Sequence, residues 1–322
     1  MRLLVVGAGA SYAEAQHAGL PEELRPPLMK NFATRMWSDY NSHFLLSAFL
    51  HQLGHDPGDD ARSRFLALEE AQVPGINVER FFEYAYDHRD FVVPGHEHFV
   101  PSSEYENLLY HGILNPLVFL LVQGLFKDGV ETTPLPLAQT VANYLRPGDT
   151  VLNLNYDTIF EIGAEQAAHQ LVFLPNNPNR ASLAVSKPHG SMNLFVDPKR
   201  QSFYFAKPYF AGSVQPSDGS SNYLGIVPPR LSKQYAQHPV AHTIIRATKG
   251  IEPTHVIFWG VGLTDSDTDL LDLYRRWCRA ADEIDFINPS VADVEKAKKL
   301  LGVDARQHDD VADWHARLNQ NM

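Results

Sequence analysis

Cysteine is nearly absent: of 322 residues only Cys278 is one. A lone cysteine excludes a disulfide within the chain and any zinc site built on paired cysteines. It lies in Leu-Tyr-Arg-Arg-Trp-Cys-Arg, a segment that reads as helix, where a single thiol packs as a small apolar group. Positive charge is also scarce, with 27 Lys and Arg against 38 Asp and Glu and a formal net charge of −11. That balance argues against a general nucleic-acid surface and leaves only a local basic groove compatible. The N-terminus has no basic stretch leading into an apolar core and cleavage site, so cytoplasmic residence is expected. An unbroken apolar run of membrane length is missing as well. The most apolar segment, 108–126, is interrupted by His111, Asn115, Pro116 and Gln123, which lipid would penalise, so it reads as a buried helix. Low-complexity tracts and internal repeats are lacking. With 44% hydrophobic and 20% charged residues, the chain is globular and long enough for two packed units or one domain with a large insertion.

What is present begins at the second residue. Arg-Leu-Leu-Val-Val-Gly-Ala-Gly-Ala-Ser, residues 2–11, is an apolar run without polar alternation, which suits a strand covered on both faces. It empties into a turn containing Gly7, Ala8 and Gly9, where glycine permits close backbone approach. If Ser11 opens a helix, its hydroxyl and the helix's first amides converge on an anion such as a phosphate. A plain strand-to-helix turn is the competing reading. The dinucleotide fingerprint G-x-G-x-x-G is not met, because Tyr12 stands at its third glycine. The following Gly-Leu-Pro-Glu-Glu-Leu-Arg-Pro-Pro cannot be a buried strand. A dehydrogenase is therefore disfavoured.

Residues 12–147 carry helical patterns at about 31–54, 62–72, 77–90, 104–126 and 135–146, and form an expected helical insertion punctuated by Pro94, Pro101, Pro134, Pro136 and Pro147. Residues 1–11 and 148–322 form the expected α/β domain. Its further strands read as 150–157, 171–174, 185–191, 255–265 and 283–289, with Ser266 and Asp267 capping a helix from Thr268 to Ala281. Polar clusters sit at the strand ends, where open parallel sheets bind ligands.

Those clusters, in order, resemble the sirtuin-like domains of bacterial antiphage defence: Gly-Ala-Gly-Ala-Ser at 7–11, Asn-Tyr-Asp at 155–157, Lys-Pro-His-Gly-Ser at 187–191, Gly-Val-Gly-Leu-Thr-Asp-Ser-Asp at 260–267 and Ile-Asn-Pro at 287–289. Ile-Val-Pro-Pro at 226–229, followed by Lys233, is similar to another segment of that group. The resemblance implies a Rossmann-like parallel sheet of sirtuin type with a large inserted helical module and no zinc ribbon. It implies that NAD is bound as substrate, with no metal, and hydrolysed to nicotinamide and ADP-ribose. It also implies Asn155 and His189 as catalytic residues, and Gly7, Ala8, Gly9, Ser11, Asp157, Gly260, Gly262, Asp265 and Asn288 as contacts to NAD. The chain departs from deacylating sirtuins, lacking their paired cysteines and a Gly-Ile-Pro-Asp-Phe-Arg-like segment, so deacylation or ADP-ribosyl transfer to a protein is the weaker alternative.

The chemistry is consistent with that list. Cleavage of the nicotinamide bond develops positive charge on a ribose and needs one activated nucleophile. A neutral imidazole at His189 suits a general base, and the Asn155 amide can hold a water or a ribose hydroxyl as donor and acceptor. Asp157 contacts ribose or stabilises its loop. Each has an ordinary reading as well: one of 15 histidines, a turn asparagine, a turn and cap at Gly260, Gly262 and Asp265, and an extended pre-proline residue at Asn288. His96 and His98 in Gly-His-Glu-His lack a third ligand at metal spacing. A non-catalytic NAD or ADP-ribose sensor subunit is the alternative from another class. A hydrolase of NAD in a cytoplasm requires gating, so a homo-oligomer or a partner such as a HerA-like ATPase or short Argonaute is expected by resemblance. The aromatic helix at 78–86 is a candidate cover or subunit contact, with an intramolecular core as its plainer role.

Overall fold

The computed structural model describes residues 1–36, 43–88, 108–130, 132–197, 202–206, 223–231, 239–263 and 268–320. Its strands are β1 Arg2–Val6, β2 Thr150–Asn153, β3 Gln170–Phe173, β4 Ser182–Ser186, β5 Gly190–Asp197, β6 Ser202–Phe205, β7 Tyr223–Ile226, β8 His255–Trp259, β9 Glu283–Ile287 and β10 Arg306–His308. The helices are α1 Ala8–His17, α2 Phe32–Met36, α3 His43–Gln52, α4 Ala61–Glu70, α5 Val78–Asp87, α6 Asn115–Gly124, α7 Pro136–Tyr144, α8 Ile159–Gln166, α9 Pro239–Thr248, α10 Thr268–Ala280, α11 Val291–Leu301 and α12 Val311–Gln320.

Seven strands form one sheet in the order β10-β9-β8-β1-β2-β4-β3, and every pairing in it is parallel. β1 lies between β2 and β8, with Val6 opposite Asn153 on one side and Trp259 on the other. Leu3, Leu4 and Val5 have no exposed surface, as an apolar run covered on both faces requires. The sheet grows away from β1 in both directions, which makes the carboxyl ends of β1, β2 and β8 a topological switch point. This is the Rossmann-like α/β class expected from the sequence.

The chain divides into two compact units, one of Met1–Leu28, Leu120–Val227 and Gln234–Met322, the other of Met29–Phe119 and Pro228–Lys233. The helical unit is narrower than the 12–147 read from the sequence. The reason is local: α1 and α7 belong with the sheet, joined by Glu14, whose carboxylate accepts the amides of Leu137 and Ala138 at 3.3 and 2.7 Å. Those amides belong to the first turn of α7, which has no side-chain cap of its own. Within the helical unit, Phe49, Phe65 and Phe81 meet with ring centroids 5.7 to 6.2 Å apart. Phe81 and Phe82 are fully buried, so the 78–86 segment supplies core rather than a free face. Asp60 and Asn77 cap α4 and α5.

Two features were not legible in the sequence. β10 adds to the sheet edge, and a separate antiparallel sheet of order β6-β5-β7 follows His189. β9 and β10 are tied by Asp285, 1% exposed, whose oxygens accept from His255 Nε2 at 2.7 Å, His308 Nε2 at 3.1 Å and Arg306 Nε at 2.6 Å. Burial pushes the Asp285 carboxyl upward, but these donors outweigh it and hold it well below the usual carboxylate range. Cys278 is buried and its thiol is pushed up to about 12 by burial, so it packs rather than reacts. Among the described residues no helix is long and apolar enough to cross a membrane.

Candidate functional site

The exits of β1 and β8 rest directly on one another. The Gly7 amide donates to the Trp259 carbonyl at 3.0 Å, the Gly9 amide to the Gly260 carbonyl at 2.9 Å, and the Gly260 amide to the Ile287 carbonyl at 3.0 Å. A Cβ on Gly7 would stand 2.6 Å from the Gly260 oxygen, and one on Gly9 2.9 Å from the Gly260 Cα. Gly260 has φ +62°, and a Cβ there would lie 2.1 Å from the Ala10 nitrogen. Contact between two backbones therefore demands these glycines, whatever ligand they meet. Gly262 differs, since a Cβ there meets open space.

α1 starts at Ala8 with Gly7 flanking it, so Ser11 sits inside the helix instead of opening it. Its hydroxyl is turned to the β2 exit, where it accepts from Asn155 Nδ2 at 2.9 Å and bonds the Asp157 carboxyl. The second Nδ2 hydrogen of Asn155 goes to the Gly7 carbonyl at 3.0 Å, and its backbone amide goes to Asn153 Oδ1 at 3.0 Å. With both amide hydrogens committed, Asn155 can offer a ligand only the acceptor Oδ1. Burial pushes the Asp157 carboxyl upward, against the pull of the Lys187 ammonium. Asp157 also accepts the Ile159 amide at 3.1 Å, which starts α8.

β4 ends at Ser186, five residues earlier than the 185–191 pattern implied, and Lys187 to Gly190 form a turn closed by the Gly190 amide on the Lys187 carbonyl at 2.9 Å. Gly190 has φ +80°, and a Cβ on it would fall 1.6 Å from the Gly225 oxygen, so only glycine fits after His189. The half-buried imidazole of His189 puts Nδ1 2.9 Å from the Leu154 carbonyl. A carbonyl only accepts, so Nδ1 carries the proton and the lone pair falls on Nε2. The His189 carbonyl accepts the Val227 amide at 2.8 Å, and the Val227 carbonyl accepts the Tyr156 hydroxyl at 2.7 Å.

The structure thus brings together Gly7, Gly9, Ser11, Asn155, Asp157, His189 and Gly260, with Ala8 half-buried at the helix start. Asn288 follows β9, but its Oδ1 accepts the Ser290 amide at 2.9 Å, an Asx turn into α11 that uses the side chain locally. Asp265, the 264–267 cap, Lys233 and the His96/His98 pair lie outside the described residues. Among the described residues no group of three His, Cys, Asp or Glu is arranged to hold a metal. Sequence reasoning passed over Asn153, Glu161 and Lys187. Lys187 stood inside the Lys-Pro-His-Gly-Ser motif; Glu161 carried no signal, because its partners are Asn153 at the end of β2 and Lys187 in the turn after β4.

In acceptor chemistry the residues are compatible with the hydroxyls of a ribose such as NAD carries: Asn155 offers Oδ1, and the His189 ring with Nδ1 protonated has its acceptor at Nε2. The amides of the β1 turn are largely spent within the chain.

No protein-family model and no curated protein matches the chain. Among solved structures it is similar to a Sir2 homologue in complex with NAD, at 14% identity and TM-score 0.43 over 99% of this chain and 88% of that one. It is also similar to a Sir2–p53 peptide–NAD complex, at 12% identity and TM-score 0.44 over 100% and 92% of the two chains.

Proposed function

We propose that this chain is an NAD glycohydrolase of sirtuin-like type, cleaving NAD to nicotinamide and ADP-ribose as a gated effector of antiphage defence that depletes the nucleotide. The observation that carries the reading is the bond from His189 Nδ1 to the carbonyl of Leu154, the residue immediately before Asn155. It supports a pair held side by side, one group an acceptor and the other a base. Asn155 Oδ1 accepts from a ribose hydroxyl or the attacking water. His189 Nε2 takes the proton of that water as its oxygen bonds the anomeric carbon. The glycosidic C–N pair departs with the ring nitrogen, and nicotinamide leaves neutral. A positioned base contributes about 10² to 10⁴ in rate. Gly7, Ala8, Gly9, Ser11, Asp157, Gly260, Gly262, Asp265 and Asn288 are proposed to line NAD directly or hold the residues that do. Control by self-assembly or by a partner ATPase or Argonaute belongs to the same proposal, and rests on the sequence resemblance.

The test is incubation of the purified chain with NAD, and in parallel NADP, following nicotinamide and ADP-ribose by chromatography beside a binding titration. Asn155→Ala and His189→Ala are expected to bind NAD within about threefold of the parent and to release nicotinamide at least about 10²-fold more slowly. Binding without release by the parent points to a sensor or to an enzyme awaiting its partner, and absence of both refutes the NAD assignment for the isolated chain.

A further inference from the structure

We propose that Lys187 and Glu161 are positioning residues that set His189 against Asn155. The proposal rests on the reading of those two as the reactive pair. Lys187 and Glu161 are both fully buried, and the ammonium donates to Glu161 Oε1 at 3.1 Å and to the Asp157 carbonyl at 2.6 Å. Glu161 Oε1 also accepts from Asn153 Nδ2 at 2.9 Å. Asn153 Oδ1 in turn accepts the backbone amide of Asn155. A continuous path of hydrogen bonds therefore runs from the turn that carries His189, through Lys187, Glu161 and Asn153, to the backbone of Asn155.

Stability does not call for such a path. A buried ion pair is often replaceable by apolar groups of like volume without loss, because desolvating two charges offsets their attraction. This one is not even complete: Glu161 Oε2 is buried without a hydrogen-bond partner. What the pair does uniquely is join two strand exits at depth. His189 meets the Asn155 segment at the Leu154 carbonyl and beside the Tyr156 ring; Lys187 adds ties at the Asp157 carbonyl and at Glu161. Ties at separated points fix the orientation of the turn, and the buried pair supplies those farthest from the ring itself. Misplacement by about 1 Å can cost on the order of 10²-fold in rate.

The test uses the full chain and three variants: Lys187→Met, Lys187→Met with Glu161→Gln, and Glu161→Gln alone. Thermal midpoint, NAD affinity, nicotinamide release and the nitrogen-15 resonances and pH titration of the His189 ring are measured for each, with His189→Ala assigning the signals. The single Lys187→Met strands a buried carboxylate and is expected to lose both stability and turnover. The double variant is neutral in both positions, and is expected to regain a midpoint near the parent's while release stays at least about tenfold down, affinity stays within about threefold and the His189 signals move. Glu161→Gln keeps an oxygen acceptor for Lys187 and Asn153, and is expected to fold and to show a milder loss of the same kind. A folded double variant, or Glu161→Gln should the double not fold, with parental turnover and unmoved His189 signals overturns the proposal. If the parent releases no nicotinamide, turnover decides nothing about this pair, and the His189 signals alone decide whether it orients the ring: unmoved signals in the folded variants overturn the proposal.

Discussion

Gly260→Ala is a sharp structural perturbation, because its cost has two sources that can be counted. At φ +62° an L-residue loses about 1–2 kcal/mol relative to its preferred conformation. The new Cβ would stand 2.1 Å from the Ala10 nitrogen and 2.4 Å from the Gly9 carbonyl carbon. Both are backbone atoms, so no side chain can rotate away and the β1–α1 turn must separate from the β8 exit. That separation breaks the Gly9-to-Gly260 bond and strains the Gly260-to-Ile287 bond, at about 1 kcal/mol each. The total is about 3–4 kcal/mol, a large share of a stability that is about 5–15 kcal/mol in ordinary domains. A fall of roughly 10 °C in thermal midpoint follows from the usual scaling for a unit of this size. The assay is far-UV circular dichroism melting, with tryptophan fluorescence as a second probe because Trp259 adjoins the site. Gly262→Ala serves as the internal control: its Cβ meets open space, and its expected effect lies within about 0.5 kcal/mol. Equal midpoints for the two variants would refute the claim that these glycines answer to backbone contact.

Glu14 is predicted to make the fold less stable as pH rises. Burial, opposed by the Ala138 and Leu137 amides, raises its carboxyl from 4.5 to about 7. The folded chain therefore holds a proton that the unfolded chain releases from about pH 4.5 upward, so stability falls between about pH 4.5 and 7, by about 3 kcal/mol for that 2.5-unit gap, and is flat above. Denaturation midpoints across that window should show this slope in the parent and a flatter one in Glu14→Gln; identical slopes would count against it. Asp285 acts with the opposite sign. Its carboxyl is held low, so its contribution is present above the unfolded pKa near 4 and lost as pH falls through the folded value. Asp285→Asn should cost about 3 kcal/mol at pH 7, because it removes the charge and turns one of the two acceptor oxygens shared by His255, His308 and Arg306 into a donor, and should weaken the acid-side fall; unaltered denaturation at neutral and at acid pH would contradict the network.

What the sequence made legible was what local pattern encodes. The apolar 2–6 run, the 255–259 run and the amphipathic 268–280 helix each announce themselves within a dozen residues, and the polar strand ends follow from them. The roles of Lys187, Glu161 and Asn153 were not legible, because their meaning lies in contacts between residues 8 to 30 positions apart. The glycine turn was legible as a turn and ambiguous as to cause: a phosphate and a neighbouring backbone demand the same missing Cβ, and only coordinates show that Gly260 occupies the space. β10, three residues long, had too little length for any period to appear, and it exists through Asp285. The extended pattern at 185–191 hid a turn, because Pro188 is compatible with both a strand edge and a turn.

The arrangement of Asn155 and His189 carries a consequence for how a substrate would be met. Each side chain is immobilised by giving away its hydrogens: Asn155 gives two from Nδ2, and His189 gives one from Nδ1 to Leu154. On the proposed reading the atoms that meet the substrate are then both acceptors, Asn155 Oδ1 and, in the neutral ring, His189 Nε2. Two acceptors side by side repel anions and attract donors and cations, which suits a ribose hydroxyl, a water to be deprotonated, and a ring carbon gaining positive charge as its bond to nitrogen lengthens. The same pair would be poorly matched to stabilising an oxyanion, which calls for donors. On the proposed reading the pair is therefore better matched to breaking a glycosidic bond than to acyl transfer, through hydrogen-bond direction, a property that neither residue type has until its neighbours in the fold have engaged its protons.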